Sequence, residues 1–418
     1  MAFNLIRNAR MFFTTNVNSV TGVIGSTGFT TTNTREIQVL DGMAFSQATG
    51  TETVTVNEAG TNPARGQRQF NTSLEPVELT FSTYLRPKFN RGADNLVGGN
   101  DNFISCEEEV LWNAFAAGYQ DATPNQNELI NGQTNGDASP ITSNGTNAAW
   151  TAAAASTPFA ILAMTNSNKN QLHKFGIIIL LDANSYAIDN CAVDQATIDF
   201  GLDAISTIAW TVRGTKLRAI TAGSTTAGTF TGITGSYAQK ITDAPFLANK
   251  LSSVSLQAYT SSPTYTGAGS PSGTTYTLGL TGGSITFANN ITYLTPANLG
   301  LVNQPTTYFT GTRAISGTLN CYLKSGAGNS AALLTDMLAN STTDIEPDFK
   351  LTLNIGGSSS ATTRVELNMP SAILSIPTIN TEQVVSQTIN FTAQGATANA
   401  LDLEEKNEIT VKYYSAAA

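Results

Sequence analysis

The chain has 418 residues, of which 41% are hydrophobic and only 12% are charged. This length and apolar content provide one large core or two ordinary ones and exclude a disordered chain. The low charge requires a surface of Thr, Ser, Asn and Gln, which favours extended β-structure. A formal net charge of −9, from 21 basic and 30 acidic residues, argues against a protein that grips nucleic-acid phosphates.

The N-terminal region contains no export or membrane signal of a familiar kind. Residues 11–20, which follow Arg7 and Arg10, are interrupted by Thr, Asn and Ser and do not form the apolar region of a signal peptide. The best apolar run, 175–181, is the length of a strand, whereas a spanning helix needs about 18 residues. We therefore expect a chain that is neither exported by that route nor anchored by a helix.

A long polar loop, residues 57–70, interrupts two predicted strands. It begins at Asn57 and carries Arg65 and Arg68 in a chain otherwise short of cations. An ordinary solvated loop is one interpretation. The other is an arm that contacts an acidic patch on a neighbouring subunit, because long loops without structure of their own are usually functional or disordered.

A strand and a helix are predicted next. Alternation places Val77, Leu79 and Phe81 on one face of a strand. Ser105 is the expected N-cap of the helix, with Glu108 completing a capping box, and Gly118 is the expected end. One helix face is predicted to pack on a sheet through Val110, Leu111, Ala114 and Phe115.

The second half of the chain repeats these elements in the same order. Strand 77–86 matches 315–324, where Gly317 takes the place of an apolar side chain. Strand 207–214 matches 388–395, and each of these two strands has three alternating apolar residues. The helix stripe recurs as Leu333, Leu334, Met337 and Leu338. The ordered recurrence indicates a duplication, with chance recurrence of common strand patterns as the alternative.

This organisation predicts a mainly β protein of two tandem β-sandwich or barrel units, each with a flanking α-helix. The first domain comprises residues 1–247 and the second 248–418. Residues from about 120 to 171, rich in Asn, Thr, Gly and Ala, are additional in the first half and are predicted to be a surface insertion.

The search for chemical groups finds no constellation. His173 is the single histidine and has no nucleophile placed beside it by the sequence. Carboxylates at 182–184 and 199–203 lack the pattern of a calcium loop, and the glycines at 326–328 lack a Walker lysine. Cys106, Cys191 and Cys321 lie far apart and are expected to be reduced, buried packing residues. No catalytic residue, metal site or cofactor is predicted.

Several segments together resemble the tail tube (major tail) proteins of long-tailed bacteriophages. In the first half these are 36–42, 76–87 and 109–114. In the second half they are 282–287, 312–319 and 408–411. The resemblance covers most of the chain outside the insertion and depends on the order of elements, not on one invariant motif.

The resemblance implies a structural virion protein, not an enzyme. Six such units form a ring whose inner sheets join into one β-barrel, so two units per chain imply three chains per ring and a pseudo-sixfold lumen. Rings stack into a hollow conduit through which DNA passes without specific binding during genome delivery. The loop at 57–70 is then the candidate inter-ring contact, and the corresponding segment 295–304 is shorter.

The same resemblance implies partners and a location. The chain contacts itself within and between rings, and it contacts other tail proteins such as the tape measure, the terminator and, where the tail contracts, a sheath. The protein is expected in the virion tail after assembly in the host bacterial cytoplasm. An acidic lumen wall would repel DNA within a Debye length of about 8 Å. Alternation leaves open whether Glu78, Thr80 and Ser82 face the lumen or the outside.

Other classes of protein remain as alternatives. A secreted or surface β-rich adhesin shares the Thr/Asn-rich strands but would need an export signal. An outer-membrane porin would show aromatic girdles on its membrane-facing strands. An enzyme ranks last, because one histidine and scattered carboxylates provide no site.

Overall fold

In the computed structural model most of the chain consists of antiparallel β-strands. Apolar and polar residues alternate along these strands. The structure describes residues 9–29, 33–54, 68–91, 102–106, 108–116, 159–161, 172, 174–181, 184–202, 204–222, 229–230, 246–258, 274–340, 348–357, 363–394 and 408–414. Within those ranges no helix has the length and apolarity needed to cross a membrane.

The first half contains twelve strands and one helix within the described ranges. They are β1 (Ala9–Thr14), β2 (Thr34–Ile37), β3 (Ala44–Val54), β4 (Arg68–Tyr84), β5 (Pro87–Arg91), β6 (Asn102–Cys106), α1 (Glu109–Ala116), β7 (Phe159–Ile161), β8 (Phe175–Leu181), β9 (Asn184–Gly201), β10 (Thr207–Gly214), β11 (Lys216–Ala222) and β12 (Thr229–Phe230).

The second half begins with a 3-10 turn, Asn249–Leu251. Its described elements are β13 (Ser253–Ala258), β14 (Thr275–Leu278), β15 (Leu280–Ala288), β16 (Thr292–Leu294), β17 (Thr307–Phe309), β18 (Ala314–Tyr322), α2 (Ser330–Asn340), β19 (Asp348–Ile355), β20 (Arg364–Leu374), β21 (Thr378–Asn380), β22 (Ser386–Gln394) and β23 (Thr410–Tyr414).

One antiparallel layer runs through both halves of the chain. Its strands pair in the order β3, β4, β10, β9, β15, β18 and β22, and β22 then pairs with the end of β20 and with β21. The junction between β9 and β15 joins the halves. We call this layer the continuous sheet.

A second layer packs on the continuous sheet in each half. In the first half the order is β2, β1, β8, β9 and β11, and in the second it is β14, β13, β19, β20 and β23. The long strands β9 and β20 belong to both layers, because their first parts pair here and their last parts pair in the continuous sheet. β7 lies in the predicted insertion and pairs with β23, so part of that segment joins a sheet.

Helix α1 contacts elements of both halves through Trp112. The Trp112 ring meets Trp210 of β10 at a centroid distance of 4.9 Å and Phe287 of β15 at 5.1 Å. Its Nε1 donates a hydrogen bond of 3.0 Å to the Tyr413 hydroxyl of β23, which donates to Glu108 at 2.6 Å. These groups are fully buried or nearly so, and they belong to an apolar cluster that extends through both halves.

The predicted strands and most of the helix faces are confirmed. Ile208, Trp210 and Val212 are buried on β10, and the apolar positions of strands 77–86 and 388–395 are buried as well. All four predicted apolar positions of α1 are buried. On α2, Leu333 and Met337 are buried but Leu338 is 53% exposed, because only part of this helix meets β14.

The predicted start of the first helix is wrong. Ser105 lies in β6 opposite Lys88, and α1 begins at Glu109. Because α1 begins four residues after Ser105, Ser105 is not at the N-cap position. Gly118 lies outside the described residues. The three cysteines are confirmed as free and buried, and burial raises the pKa of the Cys191 and Cys321 thiols.

Candidate assembly surfaces

The internal junction between β9 and β15 consists of seven paired positions, from Gln195 opposite Ala288 to Gly201 opposite Gly282. Its two faces differ. Ile198 and Ile285 lie opposite each other and are buried in the core. On the other face the hydroxyl oxygens of Thr197 and Thr286 are 3.3 Å apart. The junction therefore makes the two halves one sheet with a dry side and a polar side.

Gly283 allows close packing at this junction. A Cβ at Gly283 would lie 2.3 Å from the Thr318 backbone oxygen and 2.7 Å from the Phe200 ring. No side chain fits there without displacing backbone, so the glycine lets the Phe200 ring cover the strand.

The polar side of the continuous sheet is formed mainly by neutral residues. In register across the strands it contains Ala44, Ser46, Thr80, Ser82, Thr207, Ala209, Thr211, Gln195, Thr197, Ser284, Thr286, Ala288, Ala314, Ser316, Thr318, Asn320, Ser386, Thr388, Asn390 and Thr392. The charged side chains at these facing positions are Glu78, Asp199 and Arg213. Glu78, Thr80 and Ser82 thus lie on the face away from the core.

Hydroxyl and amide side chains bond to one another across this polar side. Besides the Thr197–Thr286 contact, Ser284 and Thr318 oxygens are 3.3 Å apart, and Thr388 Oγ1 donates to Asn320 Oδ1 at 3.0 Å. Such pairs use the hydrogen-bonding groups within the sheet. The surface is consequently polar with few cations.

A long hairpin extends from one end of the sheet. Strands β3 and β4 continue pairing as far as Val54 opposite Arg68, well past the core, and most of these outer residues are exposed. The segment 295–304 supports this arm: Leu74 N donates to Asn303 O at 2.8 Å, and Asn303 N donates to Thr72 O at 3.1 Å. Segment 295–304 therefore contacts the hairpin at residues 72–74, just after loop 57–70.

Exposed apolar side chains are found at both ends of the sheet. The end that carries the hairpin, the arm end, exposes Phe70, Leu294, Leu299, Leu301, Val302 and Phe309. The opposite end, where β9 turns into β10, exposes Leu202, Ile205, Leu251 and Val384 and is called the turn end. Leu299 is completely exposed, at 102%. Apolar groups in such numbers at two opposite ends are typical of interaction surfaces.

Two carboxylates in the first half, which are largely buried and paired with arginines, hold loops in place. Asp189 is 2% exposed, accepts a 2.7 Å bond from Arg218 and accepts the Ile24 amide at 3.0 Å. Asp194 pairs with Arg213 at 2.9 Å and accepts the Ile291 amide at 2.8 Å. Because each carboxylate is used by a guanidinium and a backbone amide, the geometry accounts for them as structural groups.

The candidate site residues from the sequence are only partly described. Arg68 begins β4 and is exposed on the arm, whereas Asn57 and Arg65 lie outside the described residues. His173 also lies outside them, as do Asp182 and Asp203. Among the residues that are described, no group of His, Cys, Asp and Glu is arranged to hold a metal. The glycines at 326–328 precede Ser330, whose Oγ accepts the Lys324 amide at 2.7 Å and donates to the Tyr322 carbonyl oxygen at 2.7 Å, so Ser330 fixes the turn before the helix.

The internal junction and the polar side were not predicted from the sequence. Their signal is present in the sequence as polar or small residues at alternate positions, namely Gln195, Thr197 and Asp199 on one strand and Ser284, Thr286 and Ala288 on the other. Alternation identifies a two-faced strand, but it does not identify which strand pairs with it.

The described residues form a mainly β protein whose notable surfaces are sheet edges, a hairpin arm and apolar ends. No protein-family model matches the chain. The chain is 28% identical over 410 residues to the tail tube protein pb6 of Escherichia phage T5, an alignment that covers 94% of this chain and 73% of that relative. This similarity confirms the resemblance to phage tail tube proteins and supports a structural role in a phage tail tube.

Proposed function

We propose that the chain forms rings of three copies, that the rings stack into a tube, and that DNA passes through the lumen without being bound. The observation that carries the proposal is the similarity to a T5 tail tube protein over nearly the whole chain. In this role the chain catalyses no reaction. It works in the virion tail after assembly in the host cytoplasm, with the tape measure, terminator and any sheath as further partners.

We further propose that the chain consists of two tandem units with a boundary near residue 247. Seven pairings within the first half have counterparts in the second: β1–β2, β1–β8, β8–β9, β9–β11, β9–β10, β10–β4 and β4–β3 correspond to β13–β14, β13–β19, β19–β20, β20–β23, β20–β22, β22–β18 and β18–β15. Matching networks of this kind favour duplication over chance.

The pairing register adjusts the correspondence that sequence spacing predicts. Trp210 lies opposite Phe81, and its counterpart Phe391 lies opposite Gly317. Gly317 is therefore the counterpart of Phe81, two positions before the Leu319 that spacing indicated. The slip preserves which face each residue occupies, since the side-chain period of a strand is two.

The polar side of the continuous sheet is the proposed lumen wall. Its scarcity of cations supports passage of DNA, because affinity for phosphates comes largely from Lys and Arg. This differs from the acidic wall expected from net charge. In the described strands the wall is mainly neutral, so DNA would pass because nothing attracts it, with only a small contribution from repulsion.

Ring stacking is proposed to join the arm end of one ring to the turn end of the next. Different surfaces at two opposite ends make a head-to-tail contact, and such contacts generate open filaments. The apolar side chains at both ends, together with the hairpin braced by segment 295–304, support this arrangement.

Electron microscopy of the purified chain over a concentration series tests the assembly. We expect hollow rings that lengthen into tubes as concentration rises, and single compact particles at all concentrations would contradict the proposal. Leu299→Ser with Leu301→Ser should leave rings intact but prevent stacking. Leu338→Ser, at an exposed leucine on α2, should stack normally. Equal stacking by both variants would contradict the role of the arm end.

A further inference from the structure

The ends of the continuous sheet provide a match between two copies of this chain. Along the described residues, β3 pairs only with β4, so its other edge is open. At the far end of the sheet, β19 covers β20 as far as Ile373. The edge from Leu374 through β21 pairs with β22 on one side, and no described strand pairs with its other side. Each chain thus carries two complementary open edges.

The internal junction is a template for how these edges meet. Trp210 and Phe391 are counterparts in the two halves. Trp210 lies opposite Ala196, and Phe391 lies opposite Leu374. Leu374 is therefore the counterpart of Ala196. The Ser375 amide donates a hydrogen bond of 2.9 Å to the Asn390 carbonyl oxygen. Asn390 is the counterpart of Ala209, and Ala209 lies opposite Thr197. Ser375 is therefore the counterpart of Thr197.

The other edge is matched in the same way. In the first half, Phe45 lies opposite Leu79 and Ala44 lies opposite Thr80. In the second half, Phe287 lies opposite Ile315 and Thr286 lies opposite Ser316. Phe45 and Ala44 are consequently the counterparts of Phe287 and Thr286 in the internal junction.

From these counterparts, and resting on the proposed function, we infer that the open edge at 374–380 of one chain pairs antiparallel with the start of β3 of the next. The register places Leu374 opposite Phe45 and Ser375 opposite Ala44. These pairs reproduce Ala196 opposite Phe287 and Thr197 opposite Thr286 inside the chain. The partner is thus a second copy of this chain.

The burial of these residues agrees with the register. Phe287 is fully buried in the internal junction, whereas its counterpart Phe45 is only half-buried in the single chain. A neighbouring edge would cover the rest of the Phe45 ring. Ala44 and Ser375 are exposed on the polar side, as the positions of Thr286 and Thr197 require.

The seam between chains differs from the internal junction in one respect. Ile376 and Pro377 occupy the place of Ile198 alone, so the edge contains a bulge and a residue without an amide donor. Bulges and prolines at edges hinder indiscriminate strand pairing. The seam therefore has fewer backbone hydrogen bonds than the internal junction, and a ring should open between chains before it opens within one.

Cysteine cross-linking tests the register with a matched control. Ser375→Cys with Ala44→Cys in one chain should, after mild oxidation of assembled protein, give disulfide-linked dimers and trimers and no larger species, because a ring of three closes. Thr197→Cys with Thr286→Cys is the internal counterpart and should give only an intrachain bridge. The three native cysteines are buried, which limits competing bridges.

A shifted pair tests the register itself. Ser375→Cys with Ser46→Cys places the sulfurs on a diagonal, where Cβ atoms are about 7–8 Å apart, too far for a disulfide. Rings that form but link better through this pair, or through neither pair, would overturn the seam while leaving the proposed function in place. Linked ladders that extend past three would overturn closure. Failure of every variant and of the native chain to assemble would contradict both proposals.

Discussion

Replacement of Trp112 should destabilise both halves of the chain together. The side chain is fully buried, contacts aromatic rings of β10 and β15, and donates a hydrogen bond to Tyr413 on β23. Trp112→Ala removes a large apolar surface and leaves a cavity, a change that costs about 3–5 kcal/mol. With an unfolding entropy of about 2.1 cal/mol/K per residue, this corresponds to a fall in melting temperature of about 3–6 °C for a chain of this length.

The assay is scanning calorimetry, with far-UV circular dichroism as a second probe, because the substitution removes a tryptophan reporter. Trp112→Phe keeps an aromatic ring but loses the bond to Tyr413 and should cost about 1–3 kcal/mol. Phe309→Ala, at a ring that is 56% exposed, is the control and should change the melting temperature little. A loss for Trp112→Ala no larger than that of the control would refute the reasoning, as would a loss confined to one of two separate transitions.

Three further predictions concern charge and titration. Arg218→Ala leaves the buried Asp189 carboxylate without its guanidinium and should lower the free energy of unfolding by about 3–5 kcal/mol. Arg10→Ala, at the exposed pair with Glu36, should lower it by less than about 1 kcal/mol. Equal losses for the two variants in denaturant unfolding would contradict this prediction. Burial raises the pKa of the Cys191 and Cys321 thiols and of Tyr276, Tyr293, Tyr308 and Tyr413, so stability should fall as pH rises above about 9, by about 1.4 kcal/mol per pH unit for each group that is ionised only in the unfolded chain. Tyr293→Phe should reduce the slope above about pH 10 by about that amount, and an unchanged slope would exclude Tyr293 as a source. Thr197→Lys with Thr286→Lys should make tubes retain DNA at least about tenfold more strongly at low salt. Tubes with Thr197→Ser and Thr286→Ser are the control and should retain none. Lysine tubes that release DNA as the native tubes do would argue against the polar side as the lumen wall.

Local patterns predicted the strands well because their faces differ in polarity. Val77, Leu79 and Phe81 alternate with polar residues and are buried, and Trp210 lies on the core face of β10 as its spacing required. Ser105 shows where such reasoning fails. Its capping pattern was present, but pairing with β5 determined its conformation.

Long-range pairing was the part that sequence could not supply. The hydroxyls of Thr197 and Thr286 identify polar faces, yet only the folded chain places these two strands side by side. The contact of Asn303 with Thr72 and Leu74 likewise joins segments far apart in the sequence. The slip between Gly317 and Leu319 has the same origin, because a shift of two residues leaves the apolar pattern of a strand unchanged.

The most direct test of the central claim is cryo-electron microscopy of assembled protein viewed along the particle axis, combined with the mass of a single ring. We expect a hollow ring of three chains whose wall shows six similar lobes around an open lumen. A particle without a lumen, or a ring whose mass corresponds to six chains, would contradict it.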